Sequence, residues 1–227
     1  MDDAGAVWSK HWYELKHGRS FHGGLFSLYR FHIRARAVNR YLDRHFPKDG
    51  VLVECGSGSS QTSARIVKRA RRLFAMDISS VALDEARQMK VLDGLVRADI
   101  NNLPFKDGSL DGVWNLGVIE HYGMEEIRAA LGEFHRVMKG GGTLMMFWPS
   151  RIALDRAVFM VLEFFINLYA GNDFRFFPDE PSRLKSKDEG KAIMGKAGFS
   201  DCEVHFPVWD MFTEYVVICR KPSTEQD

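Results

Sequence analysis

One ten-residue stretch constrains the fold of this chain more than any other. Residues 51–60 read Val-Leu-Val-Glu-Cys-Gly-Ser-Gly-Ser-Ser, so a β-forming run leads into an acid and two alternating glycines. A strand that ends in this way at a helix start leaves backbone N–H groups uncovered, with the positive end of the helix behind them. Gly56 and Gly58 would also let a ligand approach the backbone closely. The stretch predicts a ligand-binding strand–turn–helix unit, although a glycine pair can also form only a tight corner.

Apolar runs alternate with helical patterns along the chain. Five runs have the character of buried strands, at residues 51–53, 73–77, 95–99, 110–115 and 143–148. Helical patterns follow three of them, at residues 61–71, 79–89 and 124–138. A capping box in residues 186–189 opens one more helix, and late strands are expected at 202–206 and 215–220. This alternation predicts an α/β fold with a mostly parallel sheet, covered on both faces, and a late antiparallel pair at one edge.

Length and composition are those of one globular domain. The chain has 227 residues, 45% hydrophobic and 27% charged, which is enough for a full sheet with its helices. The net charge of +1 does not favour nucleic acid as a partner, since domains that bind nucleic acid are usually more basic. No run of about 18 uncharged apolar residues occurs in the sequence, so no transmembrane segment is expected.

Cysteine usage bears on the compartment. The cysteines, Cys55, Cys202 and Cys219, are odd in number and have no C-x-x-C spacing. We therefore expect reduced thiols. The N-terminal residues contain no apolar signal-peptide core. Both observations predict a cytoplasmic location.

Two acids stand at predicted strand ends. Asp77 closes the second strand and Asp99 the third. An acid roughly twenty residues beyond a glycine turn suits a bidentate contact with a ribose diol. Each acid could instead cap the helix that follows it.

The first 45 residues lie outside this alternation. Their first part is rich in rings: Trp8, His11, Trp12, Tyr13, His17, Phe21 and His22. These histidines lack the compact spacing and the carboxylate partner of a metal site, so we expect no metal and a segment that packs its rings over the body of the protein. A helical pattern over residues 25–45 places Arg36, Arg40 and Arg44 on one face. That face is either solvated or a contact for an anionic substrate or phospholipid.

Residues 152–169 are apolar on nearly all sides of a helix. A helix of this kind is buried, lies at an interface or lines an apolar pocket. Three interpretations remain open: a core or dimer helix, a lid over a hydrophobic acceptor, and shallow contact with a membrane surface. The linker that follows, residues 171–185, contains three phenylalanines and two prolines and is expected at the surface.

Several blocks, in order, resemble the class I S-adenosylmethionine-dependent methyltransferases, in particular their small-molecule, type 11-like branch. They are Glu-Cys-Gly-Ser-Gly-Ser-Ser at 54–60, Met-Asp-Ile-Ser at 76–79, the Leu-Pro-Phe and Asp-Gly-Ser turns within 99–111, Asn-Leu-Gly-Val-Ile-Glu-His-Tyr at 115–122, and Arg-Val-Met-Lys-Gly-Gly-Gly at 136–142. The resemblance implies a Rossmann-like three-layer sandwich with a mostly parallel seven-stranded sheet and helical cap elements. Ser60 replaces the family's third glycine and Gly140 its proline; both are tolerable in a turn.

The resemblance implies that S-adenosylmethionine is the cofactor, with these residues binding it: Glu54, Gly56, Ser57, Gly58, Asp77, Ile78, Asp99, Ile100, Asn115, Leu116 and Gly117. The glycine loop would pass beneath the methionine portion, with Glu54 ordering that loop. Asp77 would accept from both ribose hydroxyls, and Asp99 from the adenine amino group.

The function implied is in-line methyl transfer to a small acceptor, apolar or lipid-like given residues 152–169, with S-adenosylhomocysteine as product. His121 is the candidate general base if the acceptor must lose a proton; otherwise it only shapes the pocket. Further candidates for acceptor binding are Tyr13, His22, Tyr122, Trp148 and His205.

Two other functions stay open: a non-catalytic cofactor-binding or scaffold protein, and a nicotinamide-dependent oxidoreductase. The expected organisation is one methyltransferase domain over 1–227, as a monomer or homodimer, whose parts are a helical cap (1–45), a cofactor-binding core (50–150), an apolar helical insertion (151–186) and closing elements (187–222).

Overall fold

The computed structural model describes residues 2–17, 30–151, 164, 167–169, 181–207 and 214–223. Within them the α-helices are α1 (Asp2–His17), α2 (Ala35–His45), α3 (Ser80–Ala86), α4 (Met124–Val137) and α5 (Lys187–Lys196). The strands are β1 (Asp49–Cys55), β2 (Ala70–Asp77), β3 (Gly94–Arg97), β4 (Leu110–Leu116), β5 (Met138–Pro149), β6 (Ser200–His205) and β7 (Glu214–Arg220). A π-helical turn, Arg30–Arg34, leads into α2.

The strands form a seven-stranded sheet in the order β3-β2-β1-β4-β5-β7-β6. The first five strands are parallel to one another, whereas β7 is antiparallel to both β5 and β6. The predicted α/β sandwich with a late antiparallel edge pair is therefore confirmed. The chain order reverses between β1 and β4, and this is where an open parallel sheet leaves a crevice at its carboxyl edge.

Successive residues of each strand feed two different cores, one on each face of the sheet. Val53 and Cys55 of β1 point into a core that also holds Ile127 and Phe134 of α4. Leu52 points to the other face, where α2 contributes its buried residues Val38, Tyr41 and Leu42. This alternation follows from the two-residue period of a strand. Helices on both faces hold the carboxyl ends of β1, β2 and β4 in fixed positions.

The helix predicted for residues 61–71 is wrong. The chain makes only one 3₁₀ turn, Gln61–Ser63, and β2 begins at Ala70 by pairing with Asp49 of β1. Arg71, the last residue of the predicted helix, is 1% exposed, and its guanidinium donates to four backbone carbonyls, those of Leu42, Phe46, Pro47 and Val67. Three of these carbonyls lie at or just beyond the end of α2. Arg71 therefore supplies hydrogen-bond donors to the carboxyl end of α2.

The expectation of three reduced thiols is also wrong. Cys202 of β6 and Cys219 of β7 are joined by a disulfide. The two strands are antiparallel and their pairing brings the two Cα atoms to 4.2 Å, although the residues are 17 apart in sequence. Cys55 is a buried free thiol. The reduced-thiol premise of the cytoplasmic location no longer holds for this pair, and that location stays a prediction.

The remaining expectations concern the cap segments. Arg36, Arg40 and Arg44 are all exposed along α2, as a solvated face requires. Of the apolar segment 152–169, only residues 164 and 167–169 belong to the described part; they are helical, and Tyr169 is 97% exposed. The linker 171–185 is described only from residue 181. Among the described residues, none of the helices is both long and apolar enough to cross a membrane.

Candidate functional site

The glycine loop after β1 turns tightly over the end of β2. Gly56 (φ +71°) and Gly58 (φ +53°) both adopt left-handed backbone conformations, which glycine tolerates without strain. The N–H groups of Gly56 and Ser57 donate to the Met76 carbonyl at 2.8 and 2.9 Å. A Cβ at Gly56 would overlap Val118, which follows β4. Glycine at this position therefore lets the carboxyl ends of β1 and β4 approach each other.

Glu54 is buried directly beneath this loop. Its two carboxyl oxygens accept from Thr62 Oγ1 at 3.2 Å and from Ser63 Oγ at 2.7 Å. Burial raises the pKa of Glu54 to about 7, because the hydroxyl donors only partly replace the lost water. Glu54 thus ties the 3₁₀ turn after the loop back to the end of β1, which orders the loop.

Asp77 links the glycine loop to the next helix. One carboxylate oxygen accepts from the Gly58 N–H at 2.8 Å and the other from the Ser79 N–H at 2.8 Å. The side chain is 7% exposed, and burial raises its pKa. Ser79, the N-cap of α3, accepts in turn from the Ala82 N–H. The carboxylate is therefore fixed at the carboxyl edge of β2, beside the loop.

Asp99, Ile78 and Ile100 lie at the neighbouring strand ends. Asp99 is half-buried and accepts from the Asn101 N–H at 2.9 Å. Ile78 is half-buried and faces Gly5 of α1. Ile100 is almost fully buried in the core that contains α4. The predicted adenine-side residues thus follow β2 and β3 on the same edge as Asp77.

Asn115 has a side-chain oxygen with no hydrogen-bond partner among the residues that the structure describes. Its Nδ2 donates to the Cys55 carbonyl at 2.7 Å, which fixes the side chain between β1 and β4. Its Oδ1 is buried and has no hydrogen-bond partner among the described residues. Gly117, just beyond the half-buried Leu116, has φ +77°, and an added Cβ would meet nothing closer than Glu120 Oε1 at 4.0 Å. Open space therefore adjoins the end of β4.

Helix α1 covers this edge of the sheet. A Cβ at Gly58 would overlap the Trp12 indole, so that ring lies directly on the loop. Ser9 Oγ is 3.2 Å from Ser79 Oγ at the start of α3. The Trp8 ring lies 5.0 Å from the ring of His121, which follows β4. The expectation that the N-terminal segment packs its rings over the body of the protein is confirmed for Trp8 and Trp12.

His121 and Tyr122 form the rim of the site. His121 ends a 3₁₀ turn, Ile119–His121, and its ring is half-buried against Trp8. Burial, with the nearby negative charge of Asp99, raises the pKa of Tyr122 to about 12. The Tyr122 phenol is therefore neutral at ordinary pH and can donate a hydrogen bond.

Comparison with known proteins finds methyltransferases that are similar to the central part of this chain. Residues 53–146 match the family described as a methyltransferase domain. The malonyl-[acyl-carrier protein] O-methyltransferase of Yersinia pestis is 32% identical over 46% of this chain and 39% of its own length. The demethylmenaquinone methyltransferase of Thermus thermophilus is 29% identical over 74% of this chain and 80% of its own length. The family match and these relatives support a class I S-adenosylmethionine-dependent methyltransferase.

A solved structure agrees at the level of the fold. A Thermotoga maritima S-adenosylmethionine-dependent methyltransferase, described as a possible histamine N-methyltransferase, superposes with a TM-score of 0.62 at 18% identity. The match covers 88% of this chain and 96% of that one. The chain spans about half or less of the length of the first curated relatives that it matches.

The residues of this edge fit the family's cofactor, S-adenosylmethionine. The unsatisfied Asn115 Oδ1 could accept from the cofactor's ammonium group, which needs buried acceptors. Gly56 and Gly58 carry no side chain of their own on the loop, so a neighbouring group can approach its backbone closely, as the Trp12 indole does at Gly58. The carboxylates of Asp77 and Asp99 lie at adjacent strand ends. Each can accept more hydrogen bonds than those it already accepts from backbone N–H groups.

Not every predicted acceptor-binding residue reaches this edge. Trp148 is completely buried in the core, and its Nε1 donates to the Ser182 carbonyl at 3.2 Å. Tyr13 lies on α1 but is 56% exposed. His205 lies on the edge strand β6 beside Tyr41. His22 lies outside the described residues.

Sequence reasoning missed the residues that support the site. Thr62 and Ser63 satisfy Glu54, Val118 packs on Gly56, and Trp12 covers Gly58. The hydroxyls fall in the segment interpreted as a helix, so their pairing with Glu54 had no sequence signal. The ring-rich N-terminus was a signal for Trp12, but its contact partner depends on the fold.

Proposed function

We propose that this protein transfers the methyl group of S-adenosylmethionine to a small apolar or lipid-like acceptor. One observation carries the proposal: the indoles of Trp8 and Trp12 cover the rim at His121 and the glycine loop. An acceptor that reaches the end of β4 next to the loop would therefore contact aromatic rings. Apolar lining with a few fixed polar groups is typical of small-molecule sites.

Two relatives support the choice of acceptor class. The Thermus thermophilus relative acts on demethylmenaquinone by name, and the Yersinia pestis relative on malonyl-[acyl-carrier protein]. Both names describe acceptors with an apolar or acyl portion. The exposed side chains of Leu168 and Tyr169, at the end of the apolar sequence 152–169, are in keeping with the same class.

The cofactor supplies a methyl group on a sulfonium, and the sulfur leaves as a neutral thioether. No acid is needed for such a leaving group, so the protein acts mainly by positioning. Holding the reacting atoms in line can lower the barrier by about 7–11 kcal/mol. Asp77 and Asp99 would fix the nucleoside end, and Asn115 the amino-acid end. His121 would take the proton from an acceptor that must lose one, and the Tyr122 hydroxyl would orient that acceptor by donating a hydrogen bond.

The test is release of S-adenosylhomocysteine from S-adenosylmethionine in the presence of candidate acceptors. One arm uses a demethylated naphthoquinol with a short prenyl tail, and another a malonyl thioester. A histamine arm serves as a polar amine control. Acceptor-dependent release in either of the first two arms supports the proposal, whereas release with histamine alone would contradict the apolar acceptor.

A pair of variants separates an effect on cofactor affinity from a general effect on the stability of the fold. Asp77→Asn removes the charge at the proposed ribose contact and should weaken cofactor affinity by about 10- to 100-fold, since a hydrogen bond to a charged group contributes about 1.5–3 kcal/mol. Asp111→Asn is the matched control, because Asp111 also accepts a backbone N–H, that of Val51, at the opposite end of the sheet. Equal affinities in the two variants would remove the ribose role of Asp77.

The release assay, together with binding measurements for S-adenosylmethionine and NAD, distinguishes the other two functions. Tight binding of the cofactor without release of S-adenosylhomocysteine in any arm would favour a scaffold protein. Binding of NAD in place of the adenosyl sulfur compounds would favour an oxidoreductase. The monomeric or homodimeric state, the cytoplasmic location and the division into cap, core, insertion and closing elements remain predictions.

A further inference from the structure

The end of α2 and the edge strand β6 bring two histidines and a glutamate together. His45 is the last residue of α2, and Glu203 and His205 alternate on β6, so both point to the face of the sheet that α2 covers. One ligand atom from each of these residues lies within 4.8 Å of the other two. His45 comes from the N-terminal part of the chain and the other two residues from its end, so no sequence spacing marks the cluster.

One member of the cluster has a buried nitrogen that makes no hydrogen bond within the described part of the chain. Nε2 of His45 is inaccessible to solvent and has no hydrogen-bond partner among the described residues. A buried polar atom without a partner costs free energy, and most such atoms in native proteins have one. The His45 and His205 ring centroids are 6.1 Å apart, and the Nε2 of His205 lies 3.2 Å from Glu203 Oε2. The unsatisfied nitrogen therefore lies beside two further ligand groups.

The backbone on both sides of the cluster is held in place. The His45 carbonyl accepts from Thr143 Oγ1 at 3.2 Å and from Arg220 Nη2 at 3.0 Å, which ties the end of α2 to β5 and β7. The disulfide of Cys202 fixes β6 to β7 one residue before Glu203. Preorganised ligands lose little conformational entropy on binding a metal.

We propose that His45, Glu203 and His205 form a zinc site. Two imidazoles and one carboxylate are a ligand set that zinc takes in proteins, with a fourth position open to water. Ligand atoms around one tetrahedral zinc lie roughly 3.4 Å apart, given Zn–N and Zn–O distances of about 2.0–2.1 Å. Small side-chain rotations would close the present separations to that value. The Glu203 and His205 side chains are 60% and 38% exposed, which gives the ion a path from solvent.

The zinc site is separate from the methyltransferase site. β6 is the outermost strand on one side of the sheet, and β5 and β7 lie between it and β4. With neighbouring strands about 4.8 Å apart, the cluster is roughly 14 Å from the strand that carries Asn115. The metal would join the end of α2 to β6, so its role would be to hold the edge strand rather than to act on the acceptor.

The experiment is zinc titration of the full chain, stripped of metal and carrying no added histidine tag, followed by calorimetry. Two variants remove a ligand, His205→Gln and Glu203→Gln; both residues are partly exposed on an edge strand, so the fold should be retained. His32→Gln is the matched control, because His32 is an exposed histidine that contacts Arg65 and Phe31 and does not belong to the cluster. Thermal unfolding of each metal-free variant checks that it is folded.

The native chain and His32→Gln should each bind one zinc per chain, and zinc should raise their unfolding temperatures. His205→Gln and Glu203→Gln should lose that binding and that shift. Cobalt should reproduce the pattern, with the visible absorption of a four-coordinate site in the native chain and in His32→Gln but not in the other two variants. Absence of binding in the native chain, or equal binding in native chain and His205→Gln, would overturn the proposal, the second result by assigning the zinc to other histidines.

Discussion

Glu54 has a carboxyl group that is fully enclosed at the end of β1, and its nearest donors are two hydroxyls. Burial raises its pKa to about 7 from an ordinary value near 4.5. The folded state therefore binds this proton more tightly than the unfolded state does. The stabilisation that results is complete below pH 4.5 and is lost as the pH rises to about 7, above which it is absent.

Glu54→Gln should abolish this contribution to the pH dependence of stability. The free energy of unfolding of the native protein, measured relative to that of Glu54→Gln, should fall by roughly 3 kcal/mol between pH 4.5 and pH 7.5. Urea unfolding at several pH values measures it. Glu133→Gln is a control of opposite sign, because hydrogen bonding to Arg136 lowers the pKa of Glu133. A flat difference for Glu54→Gln would show that the carboxyl group is ionised and satisfied.

His121 has its ring against Trp8 at the end of β4. If it acts as general base, His121→Gln should reduce kcat by about 100-fold or more while the cofactor Kd stays within a factor of two or so. His135→Gln is the control, since His135 packs on Phe199 in the core on the α4 side. Steady-state kinetics and calorimetry measure the two quantities. An unchanged kcat would leave His121 as a pocket wall.

Local sequence motifs predicted the position of a residue well where its own backbone conformation determines that position. Gly56 and Gly58 adopt the left-handed conformations that a glycine turn implies, and Asp77 ends its strand beside that turn. Arg71 shows why other residues could not be predicted. In the sequence it belongs to a basic cluster typical of a helix end, but its four carbonyl acceptors are supplied by α2 and the segments around it.

At the scale of elements, α1 has contacts that link it to the proposed cofactor loop. Trp12→Ala removes the indole that lies on Gly58. We expect S-adenosylhomocysteine to dissociate about 3- to 10-fold faster, because an aromatic contact contributes about 0.5–1.5 kcal/mol beyond its buried area. Stopped-flow displacement measures the rate.

Val7→Ala is the control for this change, since Val7 lies on the same helix and is 61% exposed. It should leave the dissociation rate unaltered. Faster association with unaltered dissociation in Trp12→Ala would mean that α1 obstructs the empty site instead of closing over the bound cofactor.

The β6–β7 pair depends on a covalent link as well as on hydrogen bonds. Reduction of the Cys202–Cys219 disulfide opens a loop of 17 residues and should lower the free energy of unfolding by about 3 kcal/mol. Urea unfolding with and without dithiothreitol measures this loss. Cys55 is a buried free thiol with no disulfide to reduce, so it should not respond to the reagent. A Cys202→Ala variant that still responded to reductant would contradict the assignment.

Helices and strands with a strong local sequence pattern were predicted correctly. A segment whose structure depends on contacts with distant parts of the chain was not. α4 shows the apolar period of a helix and lies within a residue of the predicted bounds. The segment from Gln61 has helical composition, but Val67 donates its N–H to Asn39 Oδ1 and Ala70 pairs with β1. Sheet pairing and contacts to α2 therefore override the local preference.

For the whole molecule, the strand order explains where the site lies. β1 and β4 are neighbours in the sheet, and β2 and β3 extend it on one side while β5, β7 and β6 extend it on the other. The alternation of strands and helices predicted the layers, because each strand buries both faces. The lateral position of each strand, and hence the meeting of His45 with β6, depends on long-range pairing that no local pattern encodes.

The central claim is that the reversal point between β1 and β4 binds S-adenosylmethionine. Thermal unfolding with S-adenosylmethionine, S-adenosylhomocysteine and NAD, measured in parallel, tests it most directly. At about 100 times its Kd a ligand stabilises the folded state by about 2.7 kcal/mol, which corresponds to a rise of roughly 5–10 °C for a chain of this size. We expect this rise with both adenosyl sulfur compounds and none with NAD. A rise with NAD alone, or with none of the three, would contradict the claim.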